Sequence, residues 1–278
     1  MSKHFSIFTT ESQYQAVKDT LDYPNVSLIE TSGDIKYSIF LKKTLYNAPF
    51  GSLIVADVND NNNLFWLEKD DYNLTDYPLS DYKPIAICVK TSEEATHKNA
   101  VFMSLYPASN ISPYYKNPAT QYDTQLYLGF YDVNIPELKS QTIDSKSLND
   151  VLNDTDGSDD SQIMTAARNF VLPGTNVGDW MMPSFYDCTS IRDNWSVFKN
   201  NIEYYSKLTF NLSSWNASKL GNYVEIGYTQ SSNSSISGFR IGNGPTSGWG
   251  FWDDGIGRKS GSNNATTRLV FYSGVQEV

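Results

Sequence analysis

Gly178-Asp179-Trp180-Met181-Met182-Pro183-Ser184 carries three structural instructions in seven residues. Trp180 has a large apolar area and reads as a plug for a core. Pro183 fixes a turn, and Ser184 offers the side-chain oxygen that caps a helix start. The helix that follows is expected to run for about twenty residues, with Ile191, Trp195, Phe198 and Ile202 at three-to-four spacing on one side. Upstream, Ser161 to Phe170 reads as a shorter helix stopped by Pro173-Gly174, preceded by an acidic stretch from Asp150 to Asp160. Downstream, from Leu208 onward, the chain reads as strands separated by Gly, Asn and Ser turns. Trp249-Gly250-Phe251-Trp252 and Thr267 to Tyr272 are the most strand-like of these runs.

The region before these helices is β-rich. Ser52 to Ala56 and Leu64 to Leu67 flank an Asn/Asp turn from Asp57 to Asn63, and Pro84 to Val89 and Ala100 to Leu105 are apolar runs of strand length. At the start, Phe5 to Phe8 alternates, Thr10 to Leu21 reads as a short amphipathic helix, and Val26 to Ile29 and Ile35 to Ser38 form a hairpin around Ser32-Gly33-Asp34. Residues 107–125 hold several Pro, Asn and Ser without a hydrophobic period, as a linker would. The expected fold class is α+β, with a segment over 1–45, a β-rich domain over 46–110, a linker over 111–125 and a further domain over 126–278.

Composition narrows the function. Of 278 residues, 40% are hydrophobic and only 19% charged, with a net charge of −10. A nucleic-acid binder needs a basic stripe, and 21 Lys+Arg are outnumbered by 31 Asp+Glu, so no nucleic-acid partner is expected. No run of residues is apolar and long enough for membrane insertion. The opening MSKHFSIFTT has no apolar signal-peptide core, which points to synthesis in a cytoplasm. On that reading, sequons such as those at Asn25, Asn73 and Asn264 reflect polar loop composition alone. Cys88 and Cys188 are too few for a disulfide framework or zinc cluster and read as small buried residues.

Catalytic signals are weak. The two histidines, His4 and His97, have no nucleophile beside them, and His97 in the polar stretch Ser92 to Asn99 reads as a solvated loop residue. Asp154 and Asp156 are the sharpest metal candidates, but with Gly157 at the sixth position of a calcium loop, Leu152 and Ile163 fall where oxygen ligands are required. No cofactor, metal or enzymatic activity is expected. The candidate ligand contacts are Trp249, Trp252, Asp253, Asp254 and Arg240: aromatic faces stack on sugar rings, and carboxylates accept hydrogen bonds from hydroxyls. Strand and turn packing is the competing reading for the tryptophans.

Three segments carry a resemblance. Tyr72-Asn73-Leu74-Thr75-Asp76-Tyr77-Pro78, with Tyr82 to Val89 and Val101 to Leu105 behind it, is similar to a pattern in structural proteins of crAss-like and related phages of gut Bacteroidales. Leu152 to Gly157 followed by Gly178 to Ser184 resembles a region further along the same proteins, and Phe8 to Tyr37 looks like their N-terminal segment. The Trp180 to Ser184 turn in turn resembles that of C-type-lectin-like domains, so Trp180, Pro183 and Ser184 are the fold-defining residues it implies. The sequence departs from the pattern at Asp187, where glutamate is usual, and at Tyr223 to Gln230; Lys259-Ser260 and Arg268 to Phe271 retain it.

The resemblance implies a virion surface protein, a head or tail fibre made in the host cytoplasm. Residues 1–45 would anchor it to capsid or tail proteins, and residues 126–278 would form a C-type-lectin-like domain facing host cell-surface polysaccharide. Phage fibres are commonly trimers, which implies a homotrimer. A purely structural decoration or adaptor protein without ligand binding is the alternative; a bacterial adhesin and a glycan-cleaving enzyme rank below it.

Overall fold

The computed structural model describes residues 45–106, 108, 135–156, 158–210 and 268–274, together with strands at 5–8, 26–31, 34–39, 240–244 and 248–252. The chain divides into two compact units, Met1–Thr44 and Leu45–Val278. In the first, β1 (Phe5–Phe8), β2 (Val26–Thr31) and β3 (Asp34–Ile39) form an antiparallel sheet of order β1-β3-β2. The expected hairpin is β2–β3, paired from Val26↔Ile39 to Thr31↔Asp34. The helix expected over Thr10 to Leu21 lies outside the described residues.

The second unit is built on a five-stranded antiparallel sheet. Its strands are β4 (Leu53–Asp57), β5 (Asn63–Leu67), β6 (Tyr82–Lys90), β7 (Val101–Ser104) and, far along the chain, β10 (Val270–Tyr272), in the order β10-β7-β6-β4-β5. These strands read as unbroken apolar runs because both faces of the sheet are covered. Ile54 and Ala56 of β4 face one core with Cys88, Phe102 and Phe271, while Leu53 and Val55 face a second with Ile87, Met103 and Val270. Strand alternation thus sorts neighbours in sequence into separate cores. Pro84 sits within β6, where a missing N–H would break the ladder. The register slips there, from Ile54↔Ala86 to Val55↔Pro84, and this irregularity accommodates the proline.

Among the described residues, four α-helices cover the sheet. On one face lie α1 (Ser145–Asp154), capped by Asp144, and α2 (Gln162–Asn169), capped by Ser161, which bury Leu148, Leu152, Ile163 and Met164. On the other lie α3 (Phe185–Asp193) and α4 (Trp195–Thr209), which bury Phe185, Cys188, Ile191, Phe198 and Ile202. The single long helix expected after Ser184 is therefore two. Asn194 breaks it at φ −121°, ψ 33°, with its backbone N–H and side-chain amide both donating to the Ser190 carbonyl. Asparagine competes locally with helix geometry in this way.

The chain passes from one face to the other through Trp180 to Ser184. Trp180 packs edge-on against Phe170, with ring centroids 5.0 Å apart, and against Phe271 at 4.7 Å, and its indole N–H donates to Thr175 Oγ1. Met181 exchanges both backbone hydrogen bonds with Val270 at the sheet edge, Pro183 is buried, and Ser184 Oγ accepts from the Asp187 N–H to cap α3.

The arrangement is α+β, with mixed helices and antiparallel sheet. One expectation is corrected. Residues 46–110 and 126–278 are not separated at 111–125: β10 pairs with β7, Val270↔Met103 to Tyr272↔Val101, and both cores draw on both segments. A sheet whose fifth strand comes from residues 270–272 cannot be divided between them. The strand expected over Leu126 to Tyr131 lies outside the described residues. Part of the acidic stretch, up to Asp154, belongs to α1.

Candidate functional site

Asp187 is the third residue of α3, four positions into the motif Ser184-Phe185-Tyr186-Asp187. In a capping box its carboxylate would return to the Ser184 N–H. Here Ser145 Oγ accepts that N–H instead, at 2.9 Å, and the carboxylate turns inward. It is fully buried and accepts hydrogen bonds from the Ser145 N–H at 2.8 Å, from the Tyr272 hydroxyl at 2.7 Å and from His97 Nε2 at 3.1 Å. Burial pushes its pKa up, but the hydrogen bonds from His97, Tyr272 and Ser145 outweigh burial and hold it below the usual carboxylate range.

His97 is held on three sides. Its ring stacks on Tyr272, with centroids 4.6 Å apart and planes 18° apart, and stands edge-on to Tyr186. Its Nδ1 accepts from the Asn99 N–H at 3.2 Å, which leaves Nε2 as the protonated nitrogen that donates to Asp187. With a side chain 13% exposed, His97 is a clamped residue and not the solvated loop residue the sequence implies. Lys90, also buried, donates to the Tyr186 carbonyl and to Thr189 Oγ1 and lies 3.8 Å from the Tyr186 ring centroid.

This cluster joins the 91–99 loop, the start of α1, the start of α3 and the end of β10. Chemically it is saturated. Both imidazole nitrogens have partners, and no serine or cysteine is among them, so the His97–Asp187 pair has no ring nitrogen left to take a proton from a nucleophile. The geometry is that of a polar staple between four segments.

The sequence-predicted residues fall elsewhere. Trp249 and Trp252 lie on β9 (Gly248–Trp252) and Arg240 on β8 (Arg240–Gly244), two strands paired antiparallel with Arg240↔Trp252 and Asn243↔Trp249. Positions 249 and 252 are three residues apart, so they alternate to opposite faces of the ribbon. Asp253 and Asp254 lie outside the described residues. Asp154 and Asp156 are exposed, and no group of three or more His, Cys, Asp or Glu among the described residues could hold a metal ion. No helix among them is long and apolar enough to cross a membrane.

The two ends of the sheet carry different attachments. At the Lys90 end of β6, Ser92 Oγ donates to the Tyr46 carbonyl and Cys88 Sγ lies 3.5 Å from the Ala48 carbonyl, so residues 46–48 lie at that end. Toward the other end the Leu105 N–H donates to Ile85, about 16 Å along β6 from Lys90 at 3.3 Å per residue. There Tyr106 meets Phe210 edge-on at 5.3 Å, and Arg268 Nη1 donates to the Ser104 and Leu105 carbonyls. Phe210 and Arg268, the described residues on either side of 211–267, therefore both lie beside Tyr106 and Leu105. Arg268 is 1% exposed, its Nε has no partner, and burial lowers its pKa to about 10.

Sequence reasoning passed over the Asp187 cluster because its members are scattered along the chain from Lys90 to Tyr272. The signal available was an aspartate at the third position of a serine-capped helix, next to Cys188 and Ile191 on the buried side. Comparisons with protein-family models, with curated proteins and with solved structures find no match to this chain.

Proposed function

We propose that this chain is a bacteriophage virion surface protein, a head or tail fibre that displays a C-type-lectin-like region toward host cell-surface polysaccharide. Residues 1–45 anchor it to other virion proteins of capsid or tail, the assembly is a homotrimer, and the protein is made in the host cytoplasm. The reading is non-enzymatic: His97, beside the Asp187 carboxylate, has both ring nitrogens occupied.

The observation that carries the proposal is the separation of attachments along the sheet. Tyr46 lies at the Lys90 end of β6, and Phe210 and Arg268, on either side of 211–267, lie beside Tyr106 and Leu105. Such a separation suits a fibre subunit that is anchored through residues 1–45 and presents residues between 211 and 267. The Trp180 to Ser184 turn, with its plug, proline and cap, supports the lectin-like reading of the body. A decoration or adaptor protein without ligand binding is the second reading, favoured by the saturation of the Asp187 cluster.

Binding of the full chain to intact host cells and to a glycan array tests the two against each other. Adhesion predicts binding that weakens in Trp249→Ala or in Trp252→Ala. Because the two positions occupy opposite faces, the two substitutions should differ in effect. A folded chain that binds no cells and no glycans would leave the decoration reading. Light scattering tests the trimer, and a monomer at micromolar concentration would count against a self-sufficient fibre.

A further inference from the structure

Where β4 begins, β5 has just ended and α4 crosses them, a cleft of about 360 Å³ opens to solvent. Its size lies within the range of small-ligand sites. Phe50, Gly51, Glu68, Lys69, Asp70 and Asn201 are among its lining residues. Its floor is fixed. Gly51 takes φ +80°, and its carbonyl accepts from the Asn201 side-chain amide at 2.9 Å and from the Tyr205 hydroxyl at 3.0 Å. Asn201 is thereby oriented with its amide nitrogen committed, and among the described residues no donor reaches its carbonyl oxygen.

The walls are a set of acceptors without partners. Among the described residues, neither the Glu68 nor the Asp70 carboxylate has a hydrogen-bond or ion-pair partner. Lys69, between them in sequence, holds its ammonium 5.4 Å from the Tyr204 ring centroid instead of pairing with either. Phe50 adds a half-buried aromatic ring. Two carboxylates and an amide oxygen beside a ring complement a ligand that is rich in donors and has an apolar face. A sugar has that chemistry: its hydroxyls donate, and its C–H face packs on an aromatic ring. Two carboxylates also repel an acidic sugar, since like charges brought together are unfavourable.

We propose that this cleft binds a neutral hexose or hexosamine residue, through hydroxyl or ammonium donation to Glu68, Asp70 and Asn201 with Phe50 against the ring. The proposal rests on the glycan-adhesion reading and places a sugar site on the sheet body, apart from the ribbon residues Trp249 and Trp252.

Saturation-transfer NMR on the full chain tests it, with glucose, galactose, mannose, N-acetylglucosamine, glucosamine and glucuronic acid as probes. At least one neutral or amino sugar should bind and glucuronic acid should not. Asp70→Asn, at an exposed position, and Phe50→Ala should each weaken that binding about tenfold or more, the loss expected of one hydrogen bond to a charged acceptor or of a stacking face. An unchanged thermal midpoint in Asp70→Asn separates lost binding from lost folding. Sugar binding that survives both cleft substitutions but falls in Trp249→Ala would overturn the cleft and keep glycan adhesion. Preference for glucuronic acid would overturn the assigned ligand class, and binding of no sugar in the panel would overturn the cleft proposal, while the array and cell assays judge adhesion separately.

Discussion

Replacing Asp187 with alanine should be among the most damaging single changes to this protein. The carboxylate accepts from a buried backbone N–H at Ser145, from the Tyr272 hydroxyl and from His97. Each buried donor left without a partner costs about 1–3 kcal/mol, and breaking a buried charge network costs about 3–5 kcal/mol. His97 keeps some access to water, so two of the three donors bear most of the loss, and a destabilisation of about 3–5 kcal/mol follows. Asp187→Asn keeps the shape and one carbonyl oxygen but points an amide N–H at a donor, for about 1–3 kcal/mol. Urea unfolding followed by tryptophan fluorescence measures both. All six tryptophans fall within Leu45–Val278, so the signal reports on that unit alone. The same carboxylate sets an acid limit. Its folded pKa lies below the unfolded value of about 3.9, so its contribution is complete above about pH 5 and is lost as pH falls through the folded pKa. Asp187→Asn should therefore flatten the fall in stability below about pH 4. A loss under about 1 kcal/mol in Asp187→Ala, or an asparagine variant no better than alanine, would refute the staple.

Three glycines at positive φ give a graded series on substitution by alanine. At Gly178 an added Cβ meets nothing within 4 Å, leaving backbone strain of about 1 kcal/mol; at Gly51 it would lie 2.8 Å from Asn201 Nδ2, a side-chain atom that can move only by giving up its bond to the Gly51 carbonyl; at Gly174 it would overlap the Asn62 backbone carbonyl oxygen, which cannot move. Thermal midpoints should fall in the order Gly178→Ala, Gly51→Ala, Gly174→Ala, the last by the most. Burial pushes the thiols of Cys88 and Cys188 above their ordinary pKa, so Ellman's reagent should find neither in the folded chain and both in guanidinium. Arg268→Met should change stability by no more than about 1 kcal/mol in either direction, because removing an unpaired buried cation offsets the two carbonyl hydrogen bonds it loses.

The strands were legible because each is a compact apolar run between turn residues, and a sheet covered on both faces needs no alternation in hydrophobicity. Ser184 and Ser161 were legible as caps because capping is local chemistry between a side chain and an N–H three residues on. The break at Asn194 was hidden, since the apolar spacing of Ile191, Trp195 and Phe198 continues across it. The domain division failed for a different reason: nothing in Val270 to Tyr272 states that its partner is Val101 to Met103. Asp187 drew notice only as a departure from glutamate. Its role depends on His97 and Tyr272, which are distant in sequence and adjacent only once the sheet has formed.

The late fifth strand also governs how the protein can be made. Ser104 and Arg268 are 164 residues apart, a stretch that a ribosome moving at 5–20 residues per second needs about 8–30 s to synthesise. Throughout that interval β7, buried along its whole length in the finished sheet, has one neighbour and one open edge. Trp180 likewise waits for Phe271 to cover it. Folding of this unit is thus completed after most of it has been translated, and the nascent chain carries an apolar strand edge able to pair with another copy. Chaperone demand and inclusion-body formation on overexpression should trace to Val101–Ser104.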